Sequence, residues 1–146
     1  MQFLMAAKKA TYAGSSDDFS LPSPFPESKL LAFSSGNYSY RDIYFGMTSF
    51  SGQEVVSFCQ KPVWAMSYSG ECIAQDDIAT IYAFLRKALL QIPLPAPFRG
   101  TEKFHDSGLY YLNCHEGDMK FFSGTESITK DGFLMYRLNY SGGLLS

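Results

Sequence analysis

The sequence predicts an α+β domain made of two copies of a helix followed by three antiparallel strands, α-β-β-β twice, related by an approximate two-fold axis. Three observations carry this expectation. Residues 35–70 laid over 107–142 without a gap share eleven identities in thirty-six positions, where average composition gives about two or three by chance. Ten Tyr and thirteen Phe against one Trp favour pleated, half-buried surfaces. Between the copies lies a stretch with the apolar spacing of a single amphipathic helix.

At 146 residues the chain is the size of one ordinary domain, with repeats at about 1–71 and 72–146. Two copies are too few for a solenoid, which needs at least three to stack. Residues 2–11 read as a short helix that Gly14 can end. The run 15–28, rich in Ser, Asp and Pro, reads as a surface loop or extended arm. Strand-like runs follow at 38–45, 52–59 and 62–69, the last two joined by a tight hairpin at Gln60-Lys61. The matching runs are 109–114, 121–129 and 133–140, with Asp131-Gly132, a strong two-residue hairpin signal, at the equivalent turn.

The helix between the copies starts at Asp76, a good cap, and carries Ile78, Ile81, Tyr82, Leu85 and Leu89 on one stripe until Pro93 stops it. Phe84-Leu85 followed by Ala88 echoes Phe3-Leu4 followed by Ala7 at an offset of 81, against 72 for the strands. The first copy therefore holds about nine extra residues between helix and strands, where 15–28 sits. An additional short strand at 29–33 and at 101–105 is the weakest signal in each copy.

Alternation assigns the faces. Trp64, Met66 and Tyr68 point one way, as do Tyr136, Leu138 and Tyr140, while Ala65, Ser67, Arg137 and Asn139 point the other. One curved antiparallel sheet, or two half-sheets with both helices packed on it, satisfies the pattern and leaves a cleft between the halves. The expected core is Trp64, Met66, Tyr136, Leu138, Ile81, Leu85 and Leu89.

A net charge of -2 with no basic run argues against direct nucleic-acid binding by this chain. Residues 1–10, interrupted by Lys8 and Lys9, are too short and too charged for a membrane span or a secretion signal. Cys59, Cys72 and Cys114 are an odd number without a CxxC pair, so no disulfide framework is expected. Together these lead us to expect a cytoplasmic protein.

The string from Tyr38 to Gly46, YSYRDIYFG, then FSGQEVV at 50–56 and KPVWAMSYSG at 61–70, resembles an uncharacterised bacterial and archaeal domain family, many of whose members follow a helix-turn-helix of the XRE type. Phe98-Arg99-Gly100, FSGTE at 122–126 and YSGG at 140–143 fit the same pattern. The resemblance implies a cytoplasmic, stand-alone prokaryotic module with a regulatory or ligand-sensing role.

Glu54 and Glu126 are the residues in which chemistry is most expected. Each has the parity of a core neighbour, Val56 or Ile128, and each follows a Phe-Ser-Gly that reads as a turn. An unpartnered buried carboxylate costs several kcal/mol, so each must be paired, protonated or at a rim. In a cleft walled by Trp64, Tyr68, Tyr136 and Tyr140 they would suit a small cationic or aromatic ligand. Alternatively they pair with an arginine or with their own turns, and the aromatics are core. Arg99, in a Pro-rich connection whose counterpart is Glu27, could bind an anion or bridge to Glu54 or Glu126.

Other chemistry is weak. Cys114 and His115, with Asp106 nearby, lie next to each other on a strand and point to opposite faces, which disfavours a metal. A Cys114 nucleophile with His105 as base is equally thin, and neither a GxSxG turn nor a phosphate-binding loop occurs. No cofactor and no catalytic residue is expected. The sequence leaves a non-enzymatic small-molecule sensor with its cleft between the repeats, or an interaction module that homodimerises through its sheet.

Overall fold

In the computed structural model, which describes residues 1–13 and 19–146, the chain runs α1 (Gln2–Ala13), β1 (Ser20–Leu21), β2 (Ser28–Ser35), β3 (Tyr38–Gly46), β4 (Ser49–Phe58), β5 (Lys61–Cys72), α2 (Ile78–Leu89), β6 (Lys103–Asp106), β7 (Leu109–Asp118), β8 (Phe121–Lys130) and β9 (Phe133–Leu144). The expected stop at Gly14 and the first residues of the 15–28 arm lie outside the described residues. A short 3-10 turn, Gln75–Asp77, leads into α2, and Asp77 rather than Asp76 takes the cap position.

All nine strands form one antiparallel sheet in the order β1-β2-β3-β4-β5-β9-β8-β7-β6. This overturns the expected α+β fold of two α-β-β-β repeats: strand accounts for 55% of the described residues and helix for 19%. Two features explain the difference. The weak 29–33 and 101–105 signals belong to full ladder members, β2 pairing with β3 from Ser28↔Phe45 to Ser35↔Tyr38 and β6 with β7 from Lys103↔Leu112 to Asp106↔Leu109. β5 and β9 also run past their expected ends and pair from Trp64↔Leu144 to Cys72↔Tyr136. That continuous ladder closes the seam where the cleft was expected.

The strands outgrow their expected ends because the Ser-Gly pairs read as turns lie inside them. Phe50, Ser51 and Gly52 of β4 sit opposite Gly70, Ser69 and Tyr68 of β5, and Phe122, Ser123 and Gly124 of β8 sit opposite Gly142, Ser141 and Tyr140 of β9. Each aromatic thus faces a glycine across the ladder. A Cβ on Gly52 would lie 2.4 Å from the Tyr68 hydroxyl oxygen, and one on Gly124 2.4 Å from Tyr140 Cζ. Glycine is required so that the tyrosine ring can lie flat over the neighbouring backbone.

Pairing also shows where the ungapped match slips. Glu54 faces Met66 and Glu126 faces Leu138, an offset of 72, but Asp42 faces Glu54 while Asn113 faces Glu126, an offset of 71. In the β3–β4 hairpin the last pair is Gly46↔Phe50, with three residues between them, whereas in the β7–β8 hairpin the matching Gly117↔Phe122 encloses four and the ladder closes one pair further on, at Asp118↔Phe121. Tyr38 and Tyr110, matched by sequence, therefore stand on opposite faces: Tyr38 stacks on Phe3 of α1, and Tyr110 on His105 of the edge strand β6. The tight turn after β4 is likewise Cys59-Gln60, both at positive φ, one residue before the expected Gln60-Lys61.

Both helices cover one face of the sheet. α1 turns Leu4, Ala7, Lys8 and Thr11 inward, and α2 turns Ile81, Phe84, Leu85, Ala88 and Leu89. Beneath them Trp64, Met66, Tyr136 and Leu138 are buried as expected, each contributing about 1.5–3 kcal/mol through removal of its apolar surface from water. The outer face carries small polar residues such as Ser51, Ser67, Ser69, Thr125, Asn139 and Ser141. Among the described residues only the stretch 22–27 leans over it, at the β2–β3 end, where Leu30 is buried and Phe25 lies 6.0 Å from Phe45.

Candidate functional site

β8 delivers Glu126 to the covered face beside Tyr136 of β9 and Tyr111 of β7, and the loop after α2 lays Arg99 across it. Arg99 donates from Nε to Oε2 at 3.0 Å and from a terminal nitrogen to Oε1 at 2.5 Å. Tyr111 donates to Oε2 at 2.7 Å and Tyr136 to Oε1 at 2.8 Å. Four donors thus saturate one carboxylate that is 1% exposed. The loop is pinned further by Gly100, whose N–H reaches the Tyr111 hydroxyl at 3.2 Å and whose carbonyl accepts from Asn113 at 3.1 Å.

Glu54 occupies the corresponding place on β4, and its cation comes from a helix. Lys8 of α1 reaches Glu54 Oε2 at 2.7 Å and also donates to the Phe98 carbonyl, while the Tyr12 hydroxyl donates to Oε1 at 3.3 Å. Both Lys8 and Glu54 are wholly buried. Lys8 lies 5.7 Å from the Trp64 ring centre and Arg99 5.8 Å from that of Tyr68, so each ammonium or guanidinium also meets an aromatic face. The Tyr68 hydroxyl donates to Asp42 at 2.8 Å, just as Tyr140 donates to Asn113 at 2.8 Å.

Burial and charge set the protonation of this cluster. Three carboxylates face two cations, and Asp42 is the one left over: burial, reinforced by the Glu54 charge, pushes its carboxyl up to about 7. Burial alone would raise Glu126 as well, but the Arg99 guanidinium and the three hydrogen-bonding side chains hold it below the ordinary range. Lys8 is pulled below its usual value by burial despite the neighbouring Glu54, whereas Glu126 keeps Arg99 well above its own. Burial also drives the hydroxyls of Tyr12, Tyr68 and Tyr136 upward, so they stay protonated donors.

Of the residues singled out by sequence, the fold joins Glu126, Arg99 and Tyr136 directly, and places Tyr68, Tyr140 and Trp64 around them, with Trp64 stacked 5.8 Å from Phe122. Glu54 stands apart from Arg99's grip and takes Lys8 instead. The arrangement makes a closed electrostatic clamp that fastens α1 and the 93–100 loop to the sheet. No group of three metal-ligating side chains occurs among the described residues. Two concave spaces lie on the outer face: a groove of about 670 Å³ over β3 and β4, and a shallower one of about 490 Å³ by Cys114, Thr125 and Asn139.

Residues 42–145 match a family described as a domain of unknown function, DUF5680. The chain belongs to the DUF5680 family. No curated protein and no solved structure matches it. The DUF5680 match begins inside β3 and runs through β4, β5, α2 and β6 to β9, and so takes in Asp42, Glu54, Arg99 and Glu126 but not Lys8 or Tyr12. No helix among the described residues is long and apolar enough to cross a membrane.

Sequence reasoning missed Lys8, Tyr12, Asp42, Tyr111 and Asn113 in this DUF5680 chain. Lys8 was legible: Leu4, Ala7, Lys8 and Thr11 share one helical face, and the offset of 81 sets it against the buried Leu89 of α2. Asp42 and Asn113 needed the offset of 71 that only the hairpin lengths disclose.

Proposed function

We propose that this chain is a non-enzymatic binding module that meets its ligand or partner on the outer face of the sheet, with the buried glutamates serving to fasten helix and loop. One observation carries the reading. Both helices crowd onto a single face, while the opposite face of β4, β5, β9 and β8 stays open and bears hydroxyl and amide side chains together with both grooves. The clamp, by contrast, has no spare acceptor on Glu126 and no solvent access to Lys8 or Glu54. The resemblance to bacterial and archaeal domains that follow XRE-type helix-turn-helix segments supports a regulatory, cytoplasmic role for this binding.

A melting-temperature screen with amines, amino acids, nucleotides, carboxylates and phosphates tests it, because a ligand that binds the native state raises the transition by mass action. Any hit should shift backbone amide resonances on the outer face and lose its effect in Val55→Trp, if it lies over β3 and β4, or in Thr125→Trp, if it lies by Cys114 and Asn139. A hit that survives both but disappears in Glu54→Gln would place binding on the helix side and overturn the reading.

A second reading, self-association, takes Phe121 and Phe133, which are 77% and 73% exposed at the two ends of the β8–β9 ladder, as contacts with another copy. Light scattering on the wild type and on Phe121→Ser separates the two: a dimer that the substitution dissolves supports assembly.

A further inference from the structure

We infer that the groove over β3 and β4 is a binding site for a small amphipathic anion, a carboxylate or phosphate monoester carried on an aromatic or short aliphatic body, with Arg41 as the residue that selects the charge. The inference rests on the outer-face reading and names what that face takes. The groove measures about 670 Å³, within the range of small-molecule sites. Ile43, Val55, Pro24, Leu30 and Pro62 supply its apolar lining. Ser39, Gln53, Ser57 and Gln60 supply neutral hydrogen-bonding groups, and Arg41 is the only charged residue in the lining.

The cross-strand neighbours of Arg41 explain why its charge stays available. They are Ala32 on β2 and Val55 on β4, neither of which can neutralise it. Arg137, on the same face, is directly opposite Glu71 and donates to it from Nε at 2.7 Å. Arg99 is closed by Glu126, Lys8 by Glu54 and Lys87 by Asp106. Among the described residues Arg41 has no carboxylate partner, and it is an exposed member of a groove lining that holds no acid. A guanidinium presents paired donors that fit a carboxylate or phosphate in bidentate fashion. The apolar residues that share the groove with Arg41 favour an anion with a ring or short chain over a bare inorganic one. The charge preference is opposite to that expected of the glutamates.

Benzoate and phenyl phosphate are the probes, with benzyl alcohol as the uncharged control, titrated into the isotopically labelled full chain and followed by amide and Arg41 side-chain resonances. Both anions should shift Ser39, Arg41, Gln53, Ser57 and Gln60, and benzyl alcohol should bind at least tenfold more weakly. Arg41→Gln should weaken the anions at least tenfold with the rest of the spectrum unchanged, and Arg41→Lys should recover part of the loss. Tighter binding of phenyl phosphate than of benzoate would mark the ligand as a phosphate, and the reverse as a carboxylate. Equal binding of benzyl alcohol, or anion binding that Arg41→Gln leaves intact, overturns the inference. Shifts confined to the Cys114, Thr125 and Asn139 groove would also overturn it, while leaving the outer-face reading standing; shifts confined to residues under the helices would sink both.

Discussion

Arg99 grips Glu126 with two hydrogen bonds, at 3.0 and 2.5 Å, inside a core that leaves the carboxylate 1% exposed. Because the pair is desolvated, its energetic meaning lies in what happens when one partner is removed rather than in the attraction itself. A buried ion pair is often close to neutral against apolar replacements, but a lone buried charge is strongly destabilising.

Glu126→Gln should therefore cost about 3–5 kcal/mol in urea unfolding, as it strands the guanidinium. The double variant Arg99→Met with Glu126→Leu should cost clearly less than the two single changes added together. Strict additivity in that cycle would mean that the two side chains act independently.

Asp42 gives the fold a pH dependence of definite sign. Its carboxyl stands at about 7 in the folded chain against 3.8 when unperturbed, chiefly through burial. The folded state thus binds this proton more tightly than the unfolded one, and the associated stability is present at low pH and lost as pH rises through the folded value. Between about pH 4 and 7 the slope contributed is at most about 1.4 kcal/mol per pH unit. Glu126 works the other way, since its contribution is present above about pH 4.5 and lost as pH falls below it. Urea midpoints from pH 5 to 8 should decline in the wild type. They should flatten in Asp42→Asn, which keeps an oxygen for the Tyr68 hydroxyl and matches the Asn113 that Tyr140 already uses. An unchanged slope in that variant would assign the dependence to another group.

Gly124→Ala should destabilise more than an ordinary strand glycine does. A Cβ there would meet Tyr140 at 2.4 Å and the Cys114 carbonyl oxygen at 2.7 Å, so the ring must move and the two backbones must separate. Moving the ring also removes the hydroxyl from Asn113. The expected loss is about 1–3 kcal/mol, together with a changed near-ultraviolet signal from the tyrosines. In the Tyr140→Ala background the added methyl should cost less than in the wild type, since the ring is gone and only the Cys114 carbonyl oxygen at 2.7 Å still obstructs it.

How far the sequence could be read follows from what each signal depends on. Alternation along β5 and β9 and the stripe on α2 are local, and they correctly placed Trp64, Met66, Tyr136, Leu138, Ile81, Leu85 and Leu89 in the core. Phe-Ser-Gly misled because glycine and serine usually punctuate turns, whereas here the glycines lie under aromatic rings of the next strand, a cross-strand fact no single segment contains. The joining of β5 to β9 and the ladder membership of β2 and β6 are non-local in the same way. Glu54 and Glu126 were recognisable as buried carboxylates from parity, but their cations come from an N-terminal helix and a proline-rich loop, at separations that no spacing rule encodes.

The lysine on α1 offers the most direct view of the clamp at work. Lys8 is wholly buried, bonds Glu54 and the Phe98 carbonyl, and stands 5.7 Å from the ring of Trp64, the only tryptophan in the chain. Lys8→Met keeps a long apolar stem, close in volume to the lysine stem, but leaves Glu54 without its cation, and the stranded carboxylate should cost about 3–5 kcal/mol. Water is then drawn toward Glu54, so α1 should loosen before the sheet melts. Trp64 emission should move to longer wavelength at denaturant concentrations where the strand signal in far-ultraviolet circular dichroism is still native. Adding Glu54→Gln removes the uncompensated charge and should bring the two transitions back together, recovering part of the stability. If Lys8→Met unfolds in one step at the wild-type midpoint, the ion pair contributes nothing to docking α1, and the helix is attached through Leu4 and Ala7 alone.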